Sequence, residues 1–348
     1  MKFGYWTPVY GGFLRNVEHE AMAADWDYVK EVSLQADRLG FELTLVPELY
    51  LNDRKGIEAP SLEAWSLAAS IAAVTSNLEV MTAIRPGFHN PAITAKTVST
   101  LQDISKGRLS LNVVSAWWAE EARQYGGQFA EHDARYVQST EFVSALRGLW
   151  SSTPYSQSGE YYDLADVVLS PKPAHRPHIY AGGESEGGRE AIAAFADSYV
   201  THGGTVEELR AKAADLNARR RRLQGADFEY IGMSAYVIIR DTEAEAQAEL
   251  DRITTINPDS PGYASFEEFV THSNLDIEIS KREYSVGTRG LRPNLVGTAE
   301  QVAEKVSAYQ DAGVNLLLLQ SSPLHTELER IAEQLFPLVG NSTLTTSA

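Results

Sequence analysis

A chain of 348 residues that is 43% apolar and 22% charged has ample material for a core, and is long enough for two average domains or one α/β barrel with insertions. Its formal charge of −17 and pI near 4.9 speak against a polynucleotide partner; the complete lack of cysteine removes disulfide scaffolds, thiolate catalysis and Cys-ligated metal, so any redox chemistry must come from a bound cofactor. The start, Met1 to Trp6, enters a strand without a charged and apolar leader, and no run reaches the roughly 18 apolar residues of a membrane span, so a cytoplasmic enzyme is expected.

In chain order, strand-like runs fall at 3–7, 43–46, 78–83, 109–114, 178–180, 197–200, 229–239 and 314–319. Helical periodicity falls at 26–39, 62–74, 92–104, 135–150, 186–195, 206–223, 244–253, 299–312 and 327–338. Eight β/α units predict a closed parallel (β/α)8 TIM barrel rather than an open sheet. Two segments are extra: a short antiparallel excursion at 159–163 continuing to 167–169, and a polar insertion at 257–293 ending in Arg289 and Arg292. These two arginines either form part of a closing lid or are simply solvated. The expected organisation is one barrel domain over 1–340 and a frayed tail at 341–348.

A barrel of this kind works at the C-terminal ends of its strands. The residues leaving the strands include Trp6, Glu48, Arg85, Asn112, Ser115, Gly182 to Ser185, His202, Ser234, Tyr236 and Gln320 to Ser322. They are aromatic, amide, hydroxyl and glycine residues, with no metal-ligand spacing and no nucleophile elbow, which suits an organic cofactor. The densest cluster is Asn112-Val113-Val114-Ser115-Ala116-Trp117-Trp118 followed by Glu131-His132-Asp133-Ala134-Arg135-Tyr136. An amide, a hydroxyl, indoles and then an arginine and a phenol at a helix start are what a planar heterocycle with a phosphate tail requires, and this is read as a flavin site. Plain structural roles stand beside these: Asn112 as a partner for a strand-end backbone group, Trp117 and Trp118 as an apolar plug, Arg135 as a surface ion pair, Glu121 as an exposed helical residue and Asp133 as a helix cap.

The segments Ala83-Ile84-Arg85-Pro86-Gly87, Asn90-Pro91-Ala92, Ser105-Lys106-Gly107-Arg108-Leu109, Asn112 to Ser115, His132 to Tyr136, Tyr180 to Ser185 and Leu295-Val296-Gly297-Thr298 together resemble the bacterial luciferase-like flavin monooxygenases, nearest to their alkanesulfonate and dimethylsulfone branch. The resemblance implies a barrel that takes reduced FMN from a separate NAD(P)H-dependent reductase and reacts it with O2 to a flavin peroxide, and a homodimer or homotetramer. It places FMN against Asn112, Ser115, Glu121, Arg135, Tyr136, Gly182, Gly183, Glu184 and Ser185. It puts substrate near Trp6, Ser61, Trp117, Trp118, Ser234 and Ser322, with His202, Tyr236 and Arg85 as catalytic candidates and no metal. Ser61, Ser234 and Tyr236 stand where the sulfonate enzymes carry a cysteine, an arginine and a histidine, which favours a small neutral organosulfur substrate at least as much as a sulfonate. Cleavage of a C–S bond is the expected reaction. The alternatives are oxygenation of a heterocycle, ketone or halogenated aromatic, an F420-dependent oxidoreductase of the same fold, and a flavin-binding protein without turnover.

Overall fold

The computed structural model describes residues 1–115, 118–272, 279–287 and 289–340. The strands anticipated above all form, with boundaries shifted by no more than two residues. Eight of them, β1 (Lys2–Trp6), β2 (Leu43–Val46), β3 (Glu79–Ile84), β4 (Leu109–Val114), β7 (His178–Gly182), β8 (Ser198–Thr201), β9 (Ile231–Ile239) and β11 (Leu316–Gln320), pair in parallel, and β11 returns to β1 to close a barrel. β10 (Leu295–Gly297) pairs with the outer end of β9 at Val237–Ile239. The remaining pair, β5 (Tyr155–Gln157) and β6 (Leu164–Val167), makes the antiparallel excursion a few residues earlier than expected, with 159–163 in its turn.

Strands buried on both faces read as near-continuous apolar runs, and Leu316-Leu317-Leu318-Leu319 shows why. Leu316 and Leu318 point into the barrel with Leu43, Leu45, Met81 and Tyr180, whereas Leu317 and Leu319 belong to the shell between strands and helices. At the N-terminal end of the barrel the Lys2 ammonium reaches Glu79 at 2.5 Å and lies 4.8 Å over the Tyr230 ring, and the Ser110 hydroxyl donates to the same carboxylate. This polar plug closes the bottom, so the opening is at the other end.

The helices begin where local chemistry tells them to. α1 (Trp26–Leu39) is capped by Asp25 and ends at Gly40, whose φ of 84° suits a residue without a side chain. α2 (Ala64–Val74) and α3 (Pro91–Ile104) start at Glu63 and at Asn90 with proline next, and α7 (Val206–Gln224), α8 (Glu243–Thr254) and α10 (Ala299–Asp311) start in reciprocal capping boxes. α5 (His132–Ser151) and α6 (Glu186–Phe195) follow β4 and β7. α4 (Ala119–Tyr125) escaped the periodicity because seven residues hold too few apolar repeats to register. The last helix was expected as one piece over 327–338. It is instead α11 (Leu324–Arg330), a π turn at Ile331–Leu335 and a 3-10 turn at Phe336–Leu338, where Pro337 has no N–H for a helical bond. The expected tail at 341–348 lies outside the described residues.

The insertion is not structureless where it is described. It holds a 3-10 turn at Pro261–Tyr263, α9 (Phe266–His272), another 3-10 turn at Glu283–Ser285, and a bridge from Val286 back to Leu14. Its terminal arginines are not solvated. Arg292 pairs with Glu208 at 2.5 Å and Glu283 at 2.8 Å, and Arg289, 2% exposed, reaches Glu184 at 3.1 Å.

Candidate functional site

A cavity opens at the C-terminal ends of the strands, floored by Leu45, Ala83, Val200 and Leu318. Three walls surround it, each from a different part of the chain.

The first wall is made by the starts of α5 and α6. α5 begins at His132 with Glu131 at the cap position, so Asp133 lies inside the helix rather than capping it, and Arg135 and Tyr136 fall in its first turns. α6 is capped by Ser185, whose hydroxyl accepts from the Gly188 N–H at 3.1 Å. Gly183 and Gly188 leave room for the Tyr136 ring: a Cβ at either would come within 2.6 Å of it. Burial pushes the Tyr136 phenol above its ordinary range, against the Ser185 hydroxyl and Arg135, and the phenol therefore stays protonated. The Arg135 guanidinium lies 4.9 Å over the Phe129 ring and is 7% exposed, so the surface ion pair is the wrong reading for it. The start of α5, an arginine and a phenol bordering one cavity favour an anion there.

The second wall runs along the strand ends. Asn112 Oδ1, Trp6 Nε1, Gln320 Oε1 and Arg85 Nη2 are buried and have no hydrogen-bond partner among the described residues. Such atoms are expensive to leave unmet, and all four residues border the cavity. The rest of Arg85 is held: Nε faces Glu48 at 3.3 Å and Nη1 bonds Glu121. Glu121 also accepts from the N–H groups of Tyr50 and Leu51, at 2.5 and 3.3 Å. It is fully buried, so it is not an exposed helical residue, and burial pushes its carboxyl up. Glu48 in turn accepts from His89 at 2.7 Å and the Trp65 indole at 3.2 Å.

Glu184 joins the walls from behind. Its carboxylate takes the Lys212 ammonium, the Thr201 hydroxyl at 2.9 Å, the His202 N–H at 3.2 Å and Arg289. Burial opposes ionisation, yet Arg289, Lys212 and His202 hold the carboxyl well below the usual range.

The third wall was not read from the sequence. Tyr10, Arg15, Asp53, Arg54 and, from the insertion, Phe269, Tyr284 and Gly287 form a roof. The Arg15 guanidinium bonds Asp53 at 2.9 Å and lies 3.8 Å over the Tyr284 ring. The available signal was Asn52 followed by Asp53 and Arg54, an Asx turn whose Oδ1 accepts from the Arg54 and Lys55 N–H groups at 2.9 Å.

Of the residues singled out from the sequence, Trp6, Arg85, Asn112, Ser115, Arg135, Tyr136, Gly182, Gly183, Glu184, His202 and Ser234 border this cavity. Six do not. Glu121 stands behind Arg85, and the Ser61 hydroxyl donates to the Leu49 carbonyl at 2.8 Å. Ser185 is spent as a cap, while Trp118 and Ser322 are buried off the wall. Tyr236 is buried with its phenol pushed well above the ordinary value, by burial and then by Glu20, Glu249 and Glu327, and is not on the cavity wall. Trp117 lies outside the described residues. Among the described residues no cluster of three or more His, Asp or Glu is placed to hold a metal, and no helix is long and apolar enough to cross a membrane.

A (β/α)8 barrel with a cavity at its C-terminal face, unmet polar atoms along the strand ends and helix starts on one side defines an enzyme of the barrel class built around an organic anion-bearing ligand. A sequence model of the luciferase-like monooxygenase family matches residues 1–316. The FMNH2-dependent dimethylsulfone monooxygenase of Pseudomonas putida is 33% identical over 350 aligned positions, covering 97% of this chain and 95% of the relative. Among solved structures, the EDTA monooxygenase of Chelativorans sp. BNC1 superposes with a TM-score of 0.78 at 19% identity, covering 98% of this chain and 93% of its own. DmoA of Hyphomicrobium sulfonivorans superposes with a TM-score of 0.76 at 20% identity, covering 97% and 86%. The chain belongs to the luciferase-like monooxygenase family. It is accordingly an enzyme, a flavin-dependent monooxygenase.

Proposed function

We propose that the protein is a two-component monooxygenase that binds FMN, receives it reduced from a separate NAD(P)H-dependent flavin reductase, and cleaves a C–S bond in a small organosulfur compound. The observation that carries the reading is the set of unmet polar atoms on Asn112, Arg85, Gln320 and Trp6 bordering the same cavity as the start of α5 and the Gly182–Glu184 turn. Asn112 and Ser115 would meet the ring edge and the ribityl chain; Arg135, Tyr136 and the backbone of Gly182 and Gly183 would meet the phosphate. Reduced flavin, when bound, supplies the two electrons that activate O2. Glu121 and Glu48 fix the orientation of Arg85, and the apolar floor would keep water from the reacting atoms. His202 borders the cavity, its backbone N–H bonds Glu184, and its imidazole is the proposed group for moving a proton.

In the proposed reaction one oxygen atom enters the C–H bond next to sulfur and the other leaves as water. The C–S bond then breaks with its electron pair passing to sulfur, releasing an aldehyde and a sulfinate from a sulfone, or sulfite from a sulfonate. The 33% identity to a relative named for dimethylsulfone supports this class. The test mixes the protein with FMN, NADH and a flavin reductase, and offers dimethylsulfone, short alkanesulfonates and simple heterocycles in turn. Aldehyde with sulfinate or sulfite is expected. Oxygen uptake no faster than free flavin, with no aldehyde from any sulfur compound, would overturn the reading.

A further inference from the structure

The orientation of Arg85 depends on side chains that stand outside the cavity. Glu48 borders the cavity, and both of its oxygens are occupied. Oε2 accepts the Arg85 backbone N–H at 2.9 Å and Nε at 3.3 Å, while Oε1 accepts His89 Nε2 at 2.7 Å and the Trp65 indole N–H at 3.2 Å. Neither His89 nor Trp65 borders the cavity. The 3-10 turn at Pro86–Phe88 carries the chain from Arg85 to His89 and brings both side chains onto the same carboxylate. That turn is itself tied down. The Tyr162 hydroxyl donates to the Pro86 carbonyl at 2.8 Å, the Gln128 N–H donates to the Gly87 carbonyl at 2.9 Å, and a Cβ on Gly87 would run into the Gln128 carbonyl. The guanidinium lies 4.2 Å over the Phe88 ring, and Glu121 takes Nη1, so only Nη2 is left without a partner among the described residues.

Asn112 stands on the neighbouring strand, opposite Ala83 in the register, and its Oδ1 is likewise unmet. An unmet donor and an unmet acceptor leaving adjacent strands suit the pyrimidine edge of a flavin, where a ring N–H stands between two carbonyls. We infer that His89 is a positioning residue for the flavin: acting through Glu48, it holds Arg85 so that Nη2 donates to a ring carbonyl beside Asn112. This rests on the reading of the cavity as the FMN site and is independent of the sulfur chemistry. With His89 in place, Glu48 is gripped at both oxygens and cannot turn. Without it, Oε1 keeps only the indole, and the carboxylate that aligns the guanidinium is free to rotate.

The test measures the Kd of FMN by flavin fluorescence quenching in the full chain, for wild type, H89L, H89Q, R85K and the double variant H89L/R85K. H89L is expected to raise the Kd by about 5-fold or more, and H89Q, whose amide N–H can replace that of the imidazole, to recover most of it. R85K keeps the cation between the two carboxylates but removes the fork, so in that background H89L should change the Kd by less than about 2-fold. A Kd unchanged in H89L, an equal rise in both backgrounds, or H89Q as weak as H89L overturns the inference. Should the double variant fail to fold, the visible absorption of bound FMN decides: H89L must reproduce the band shift of R85K, and a wild-type spectrum in H89L overturns it. The outcome is separate from the reaction. Coupled loss of FMN binding sustains the role of His89 even if no sulfur compound yields aldehyde, and uncoupled loss removes that role while leaving C–S cleavage standing.

Discussion

Asn112 and Arg85 show what single residues can and cannot reveal before folding. Both leave strands of a predicted barrel, and their positions at the opening follow from that alone. The partners of Arg85 do not, because Glu48 and Glu121 approach it from 37 and 36 residues away. Glu121 could not be told from an exposed helical glutamate for the same reason, and Arg54 went unnoticed because a charged loop residue is ordinarily solvated. An amide whose oxygen is buried and unmet is expected to contribute to ligand binding: Asn112→Ala should raise the Kd for FMN by roughly 3- to 12-fold, the worth of one neutral hydrogen bond. Flavin fluorescence quenching measures this, and an unchanged Kd counts against Asn112 as a cofactor contact. Glu184 gives a pH signature. Its folded-state carboxyl lies well below the ordinary 4.5, so the stability it contributes is fully present above that pH and is lost progressively as pH falls from there toward the lower folded-state value. Urea midpoints of the wild type should therefore drop more steeply between pH 6 and about 3 than those of Glu184→Gln. Parallel profiles would show that Lys212 and Arg289 do not depress the group.

The elements were legible wherever two signals agreed. Strand ends fell within two residues because an apolar run stopped at a turn residue, and the long helices because a 3.6-residue period met a cap. α4 and α9, seven residues each, had neither. The cap of α7 also has a functional address, since its Glu208 side chain both bonds the Thr205 N–H at 2.9 Å and holds Arg292 of the insertion. Thr205→Ala should cost about 1 kcal/mol in chemical denaturation, the usual worth of such a cap. A loss under a few tenths would mean that tertiary packing alone sets the start of α7.

At the scale of the whole molecule, the barrel was readable from the alternation of strands and helices, and with it the face on which the cavity opens. The roof was not, because Arg15, Asp53 and Tyr284 converge from segments up to 269 residues apart and no local period reports such a meeting. That roof borders the cavity over the strand ends, and shielding from bulk water favours the oxygen chemistry proposed there. The most direct test of the central claim is a single turnover. Chemically reduced FMN is bound to the protein without air, mixed with oxygenated buffer containing dimethylsulfone or methanesulfonate, and the aldehyde is counted per flavin. The account predicts close to one aldehyde for each reduced flavin bound with the preferred compound, and none with oxidised FMN. Reoxidation that yields only hydrogen peroxide with either sulfur compound would contradict it.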